Sequence, residues 1–161
     1  MRYLRFFLMA LGFALSSITF AQRNTAYQQY VDKYKDAAIE QMHRYKIPAS
    51  ITLAQALLES GAGTSYLAKN ANNHFGIKVG TGWSGPYVTR DDDHKNEHFR
   101  KYKNVEESYE DHSQFLLKDR YKRLFDLNPL DYKAWARGLK ACGYATSPTY
   151  AELLITIIET Y

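Results

Sequence analysis

The sequence predicts an α+β domain that is mainly helical and carries one small inserted β-hairpin lobe. Apolar residues recur at three- and four-residue steps over most of the chain, and the clearest case runs from Tyr27 to Tyr45. This spacing places them on one face of an amphipathic helix. The segment 74–102 differs, because it is rich in glycine and has short β-type runs on both sides of the polar stretch DDDHKN. It predicts an antiparallel hairpin over about residues 85–103.

The ends of the predicted helices are marked by residues that commonly cap or break helices. Pro48 fits the first turn of a second helix, and Gly61 with Gly63 fits its end. Asn104 and Glu107 have the spacing of a capping box that starts the helix after the hairpin. The boundaries of the last two helices are marked by Asp131, Gly143, Ser147 and Pro148.

The first residues have the pattern of a secretory signal peptide. Arg2 and Arg5 precede an apolar run over about residues 6–14, and Thr19 and Ala21 occupy the −3 and −1 positions of a cleavage site. The alternative is a membrane anchor. Because the apolar run is short for a bilayer span of about 20 residues, we predict cleavage after Ala21.

The chain is therefore predicted to consist of a signal peptide, residues 1–21, and one domain, residues 22–161. Loss of the two arginines leaves a domain that is only slightly positive, so the charge does not indicate nucleic-acid binding. Cys142 is the only cysteine, which excludes an internal disulfide. We expect an exported protein of the periplasm or cell envelope, with no stable membrane insertion after cleavage.

Glu59 is the most informative residue of the second helix, because it ends an otherwise apolar segment. The negative end of the helix dipole disfavours a carboxylate there, and so does the apolar surface of Ala56 and Leu58. Both effects raise the pKa of the carboxyl, which is what a general acid requires near neutral pH. The alternative is an exposed glutamate at a frayed helix end, and position alone leaves both open.

Three segments together resemble the peptidoglycan N-acetylglucosaminidases of glycoside hydrolase family 73, which include flagellar and autolysin glucosaminidase domains. They are IPASITLAQALLESGAGTSYLAKNANNHFGIK, FRKYKNVEESYEDHSQFL and YATSPTYAELLITII. In order and spacing the resemblance covers about residues 28–161. It implies a lysozyme-like fold, a glucosaminidase domain that cleaves the β-1,4 bond between N-acetylglucosamine and N-acetylmuramic acid, and Glu59 as the catalytic acid.

The resemblance also implies a second acidic residue from the hairpin lobe. The run of three aspartates lies where the family's hairpin acid falls, so Asp92 is the first candidate and Asp91 the second, ahead of Asp93 and Glu97. Alternation along a strand would send neighbouring side chains to opposite faces, so at most two of the three aspartates can face the cleft. Two alternatives stay open: a solvated turn, and water activated with help from the substrate acetamido group. Retention and inversion stay equally open.

Further site residues follow from the same resemblance. Tyr144, in the Tyr-Ala-Thr turn, is expected to line the active site, pack on a sugar ring and hydrogen-bond near the acetamido group. Asn73 is expected to hydrogen-bond the substrate. Trp83 is expected either to form a wall of the cleft or to pack inside the domain.

No cofactor and no metal site is predicted. His94 and His98 are four residues apart, but they fall in the hairpin and no HExxH motif is present. The expected partner is the peptidoglycan glycan strand. Because the chain shows no cell-wall-binding repeat, affinity must come from the cleft or from a partner protein of the cell envelope.

Two other functions remain alternatives to a hydrolase. A lytic transglycosylase has a similar fold and a single catalytic glutamate near a Glu-Ser pair, which Glu59 and Ser60 also provide. A non-catalytic peptidoglycan-binding protein would keep the fold without activity. The products distinguish these classes, because a transglycosylase leaves anhydro-muramoyl ends and a glucosaminidase leaves reducing N-acetylglucosamine ends.

Overall fold

The computed structural model describes residues 24–92 and 94–161. The predicted signal peptide and Asp93 lie outside the described residues. The elements, in chain order, are α1 (Thr25–Tyr45), α2 (Ala49–Ser60), α3 (Tyr66–Ala71), β1 (Tyr87–Arg90), β2 (Glu97–Arg100), α4 (Val105–Leu116), a 3₁₀ helix (Asp119–Asp126), α5 (Tyr132–Ala141) and α6 (Tyr150–Thr160). The predicted class is confirmed: a mainly helical α+β fold with one two-stranded antiparallel sheet in the described part.

The second helix, α2, is the centre of the fold. It packs against α1, α5 and α6. Its buried side chains cover more than one face: Ile51, Thr52, Ala54, Gln55, Ala56, Leu57 and Ser60. Because Leu57 is fully buried, we expect Leu57→Ala to lower the free energy of unfolding by about 2–5 kcal/mol. This packing fixes the position of the carboxyl at the end of α2.

The helix ends follow the predicted capping chemistry closely. The side-chain oxygen of Asn104 accepts from the backbone N–H of Glu107 at 2.9 Å, and that of Asp131 accepts from Ala134 at 2.9 Å. Gly61 ends α2 in the left-handed conformation, with φ of 55°, which glycine adopts at little cost. The last helix begins at Tyr150, two residues beyond the predicted Pro148.

The hairpin is shorter than predicted, and a third segment extends it. β1 and β2 pair antiparallel, with Tyr87 opposite Arg100. On the other edge of β2, the N–H of Val79 donates to the carbonyl of His98, and the N–H of Arg100 donates to that of Ile77. These bonds connect the hairpin to the chain segment that leaves the helical core.

Two helical segments were not predicted, α3 and the 3₁₀ helix. With six and eight residues, they are too short for an apolar period to stand out. Over residues 24–92 and 94–161, the structure contains no helix with both the length and the apolar character needed to cross a bilayer.

Candidate active site

A cavity of about 720 Å³ lies between the helical lobe and the hairpin. Its walls come from the end of α2, the segment before the hairpin, the hairpin itself, the end of α4 and the turn before α6. The lining residues are Glu59, Phe75, Gly76, Ile77, Lys78, Gly80, Thr81, Asp92, Arg100, Phe115, Lys118, Tyr144, Ala145 and Thr146. The cavity therefore brings together Glu59, Asp92 and Tyr144 of the predicted residues.

Glu59 lies in the last turn of α2 and opens into the cavity. Its side chain is exposed to the solvent of the cleft, while the protein atoms around the carboxyl desolvate it in part. Desolvation by this surrounding protein raises the pKa of the Glu59 carboxyl, and a hydrogen-bonding contribution from the Tyr150 hydroxyl opposes the rise. Such an environment favours the protonated form that a general acid needs.

The phenol of Tyr150 connects Glu59 to the rest of α2. The phenol oxygen accepts a hydrogen bond from Nε2 of Gln55 at 2.9 Å. The phenol also forms a hydrogen bond with Glu59. Gln55 lies one helical turn before Glu59, so the two side chains share one face of α2. The Tyr150 phenol thus links Gln55 and Glu59 of α2.

Tyr144 forms part of an aromatic wall. Its ring stacks on Tyr150, with centroids 5.7 Å apart, and meets Phe115 and His112 edge-on at 6.2 and 5.9 Å. Burial, and then the charge of nearby groups including Glu59, raises the pKa of the Tyr144 phenol well above its usual range. The phenol is therefore neutral and can act as a hydrogen-bond donor in the cavity.

Asp92 reaches the cavity from the hairpin and is held by a lysine. Nζ of Lys78 lies 3.0 Å from Oδ2 of Asp92 and 2.8 Å from Oε1 of Glu97. The Lys78 ammonium lowers the pKa of the Glu97 carboxyl. The Asp92 side chain is 53% exposed, so its carboxylate is in contact with both water and a fixed cation.

Asp91 has a different position from its neighbour. Its Oδ1 accepts from the backbone N–H of Asn96 at 2.8 Å, which closes the hairpin turn, and it is not among the residues that line the cavity. Strand alternation does not separate the two aspartates, because β1 ends before them at Arg90. The turn itself directs Asp92 inward and Asp91 to the backbone.

Asn73 is buried and has no polar atom directed at the cavity. Its amide nitrogen donates to the carbonyls of Ile77 and Arg100, both at 2.9 Å, and its oxygen accepts from the N–H of Ile77 at 3.0 Å. These backbone bonds join the core to the hairpin. The hydrogen bond to substrate expected for Asn73 stays a prediction, and in this structure both amide hydrogens are donated to backbone carbonyls.

Trp83 lies outside the candidate site. It lines a separate cavity of about 430 Å³ with residues of α1 and α4, its indole N–H donates to the carbonyl of Pro86, and the Arg100 guanidinium lies 4.7 Å from its ring. Of the two predicted positions, packing describes Trp83 better than the wall of the active-site cleft. The sequence could not decide, because the contact with Arg100 comes from a different segment.

Three residues of the site were missed at the level of sequence: Lys78 and Phe115, which line the cavity, and Tyr150, which interacts with Glu59. Tyr150 and Phe115 share the apolar period of their helices and so were indistinguishable from core residues. Lys78 stands in the quoted segment before the hairpin, but nothing local signals its contact with Asp92.

For the metal question, no group of three or more His, Cys, Asp or Glu side chains within the described residues is arranged to hold an ion.

Two relatives are similar to this chain in sequence. It is 36% identical over 148 residues to the exo-glucosaminidase LytG of Bacillus subtilis, covering 83% of this chain and 51% of LytG. It is 31% identical to the peptidoglycan hydrolase FlgJ of Vibrio parahaemolyticus, covering 81% of this chain and 46% of FlgJ. The chain thus spans about half the length of these relatives.

Among solved structures, the catalytic domain of the autolysin Auto from Listeria monocytogenes superposes with a TM-score of 0.73 at 30% identity, covering 89% of this chain and 88% of that domain. A family model described as mannosyl-glycoprotein endo-beta-N-acetylglucosaminidase matches residues 35–161. Because this match covers most of the chain, the resemblance in the sequence is confirmed. The chain belongs to the glucosaminidase family.

Proposed function

We propose that this protein is a peptidoglycan hydrolase that cleaves the β-1,4 bond between N-acetylglucosamine and N-acetylmuramic acid. The observation that carries the proposal is a carboxyl with a raised pKa, Glu59, at the end of a buried helix and open to a cleft that also contains Asp92. Family membership and the names of the relatives LytG and FlgJ support it.

Glu59 acts as the general acid. It donates its proton to the glycosidic oxygen as the bond to the anomeric carbon breaks and positive charge develops on the sugar ring. Tyr150, itself hydrogen-bonded to Gln55, helps to position the Glu59 carboxyl. After bond cleavage Glu59 is a carboxylate, and a proton from water restores the acid.

Asp92 is the second carboxylate of the proposed mechanism. From the hairpin it stabilises the oxocarbenium-like transition state or removes a proton from the attacking water. Lys78 holds Asp92 in position at 3.0 Å. Tyr144 presents its neutral phenol to the sugar and packs against it, which orients the ring between the two carboxyl groups.

The place of action follows from the same substrate. A leader over residues 1–21, removed after Ala21, would deliver the domain to the periplasm or cell envelope, where glycan strands lie. We include export in the proposal on the strength of that sequence pattern. A partner protein of the envelope would supply affinity beyond that of the cleft.

The test is digestion of purified peptidoglycan by residues 22–161 and by its Glu59→Gln variant, with mass spectrometry of the released ends. Reducing N-acetylglucosamine ends from the first and none from the second support the proposal. Single sugars released from chain ends would indicate exo action, as in the name of LytG, and internal cuts would indicate endo action. Anhydro-muramoyl ends would assign the protein to the transglycosylases, and retained binding without release would make it a binding protein.

A further inference from the structure

Three cationic side chains line the active-site cavity, and they differ in their partners. Lys78 is paired with Asp92 and Glu97, and Arg100 is paired with Asp111 at 2.7 Å. The third is Lys118. Within residues 24–92 and 94–161, no carboxylate forms an ion pair with Lys118. The cavity wall therefore presents a cation whose charge the described protein does not neutralise locally.

Lys118 is held at a defined place on this wall. It lies between α4 and the 3₁₀ helix, where its N–H donates to the carbonyl of Phe115 and its own carbonyl accepts from the N–H of Tyr121. Its Nζ is 4.1 Å from the centroid of the Phe115 ring, and that ring meets Tyr144 edge-on. The ammonium group thus stands beside the aromatic wall on which the sugar is proposed to pack.

A cation on the wall of a cleft attracts anions more strongly than one on an open surface, because the low-dielectric walls focus its field. The proposed substrate carries suitable groups. Its N-acetylglucosamine units are neutral, whereas each N-acetylmuramic acid has a lactyl group that ends either in a free carboxylate or in an amide to a peptide with carboxylates of its own.

We propose that Lys118 binds a carboxylate of the substrate and so makes the cleft selective for anionic glycan strands over neutral ones. The inference rests on the proposed function and specifies its substrate more narrowly. The group that Lys118 binds is a carboxylate within reach of its ammonium. The lactyl group and the attached peptide are its two sources, and the experiment distinguishes them.

The experiment compares wild type, Lys118→Met and Lys118→Arg on peptidoglycan before and after its carboxylates are converted to amides. Methionine keeps the packing on Phe115 and removes the charge, and arginine keeps the charge. Lys122→Met is the matched control, because Lys122 lies outside the cavity and is paired with Asp119 at 2.7 Å. Binding is measured by co-sedimentation in a Glu59→Gln background, and kcat and KM are measured with the active enzymes.

We expect Lys118→Met to bind unmodified strands about fivefold more weakly, with the loss in KM rather than kcat. Amidation of the strands should weaken wild type by a similar factor and leave Lys118→Met unchanged. Lys118→Arg and Lys122→Met should behave as wild type. Two results would overturn the inference. One is that wild type and Lys118→Met bind unmodified strands equally well. The other is that amidation of the strands lowers the affinity of both proteins by the same factor.

The source of the carboxylate follows from strands with and without attached peptides. If amidation weakens the binding of wild type but not of Lys118→Met only on strands that carry peptides, the carboxylate belongs to the peptide. If this difference appears only on strands without peptides, the carboxylate belongs to the lactyl group. Because the binding measurement does not need catalysis, a protein that binds as expected but releases no sugar would contradict the proposed hydrolysis and still support the role of Lys118.

Discussion

The helical lobe and the hairpin hold the two carboxyl groups of the cleft by opposite physical means. Glu59 belongs to the mostly buried helix α2 and is open to the cleft, and desolvation by the protein around its carboxyl raises its pKa. Asp92 belongs to a short exposed turn and is held by the Lys78 ammonium. Desolvation thus favours the protonated form of Glu59 on one side, and an ion pair holds Asp92 in place on the other. The comparison shows that one cleft holds two carboxyl groups in different environments, one beside desolvating protein and one beside a cation.

The largest effect is expected from removing the proton donor. Glu59→Gln keeps the size of the side chain but cannot release a proton, so kcat should fall by about 10²–10⁴ with little change in KM. Steady-state kinetics on soluble peptidoglycan fragments measure this. Gln55→Glu is not a suitable rescue, because Gln55 is fully buried. A loss confined to KM would mean that Glu59 only binds substrate.

The two neighbouring aspartates provide a matched pair for the hairpin side. Asp92→Asn should lower kcat by about a hundredfold, because it removes the charge that faces the developing cation. Asp91→Asn should change kcat by less than about threefold, since the asparagine oxygen can still accept from the N–H of Asn96. Equal losses in both variants would remove the distinction between the cavity residue and the turn residue.

Lys78 tests whether the ion pair positions Asp92. Lys78→Met should lower kcat by about tenfold, because Asp92 and Glu97 would repel each other without the ammonium between them. Lys78→Arg, which keeps the charge, should recover most of the activity. Lys95→Met, an exposed lysine in the same turn, is the control and should match wild type. Activity of Lys78→Met equal to that of the control would show that Asp92 needs no such support.

The smallest effect on activity is expected from His112, a buried histidine next to Tyr144, because its effect is on the pH dependence of stability. His112 is fully buried, its ring nitrogens have no hydrogen-bond partner among the described residues, and burial lowers its pKa to about 3. The unfolded chain takes up a proton below about pH 6.5, whereas the folded one does so only near pH 3. This residue therefore lowers stability as the pH falls between these values.

His112→Phe should remove that acid sensitivity while keeping a ring beside Phe75, which stacks on the histidine at 3.8 Å. Denaturant unfolding measures the free energy of unfolding at pH 6 and at pH 4. Between these values it should fall less steeply in the variant than in wild type, by about 1.4 kcal/mol per pH unit. His43→Phe, at an exposed site on α1, is the control. An unchanged pH slope in His112→Phe would contradict the assignment. Some acid sensitivity should remain, since burial also lowers the pKa of His74 to about 4.

The sequence predicted the helical side of the cleft far better than the hairpin side. Helix positions and caps depend on residues three or four apart, so the end of α2 and the place of Glu59 could be derived locally. The choice between Asp91 and Asp92 depends on Asn96 and on Lys78, and no local pattern reports such contacts. Asn73 and Trp83 both contact Arg100 of β2, which no local pattern reports either, and the role expected of Asn73 stays a prediction.

The most direct test of this account is the titration of Glu59 itself. Carbon-13 NMR of the glutamate carboxyl groups in residues 22–161, with Glu59→Gln to assign the signal, gives its pKa in the folded protein. The account predicts a value above the 4.5 of an ordinary glutamate, and therefore a larger protonated fraction than an ordinary glutamate has at the same pH. A value at or below 4.5 would contradict the central claim that the helical lobe prepares Glu59 as the acid.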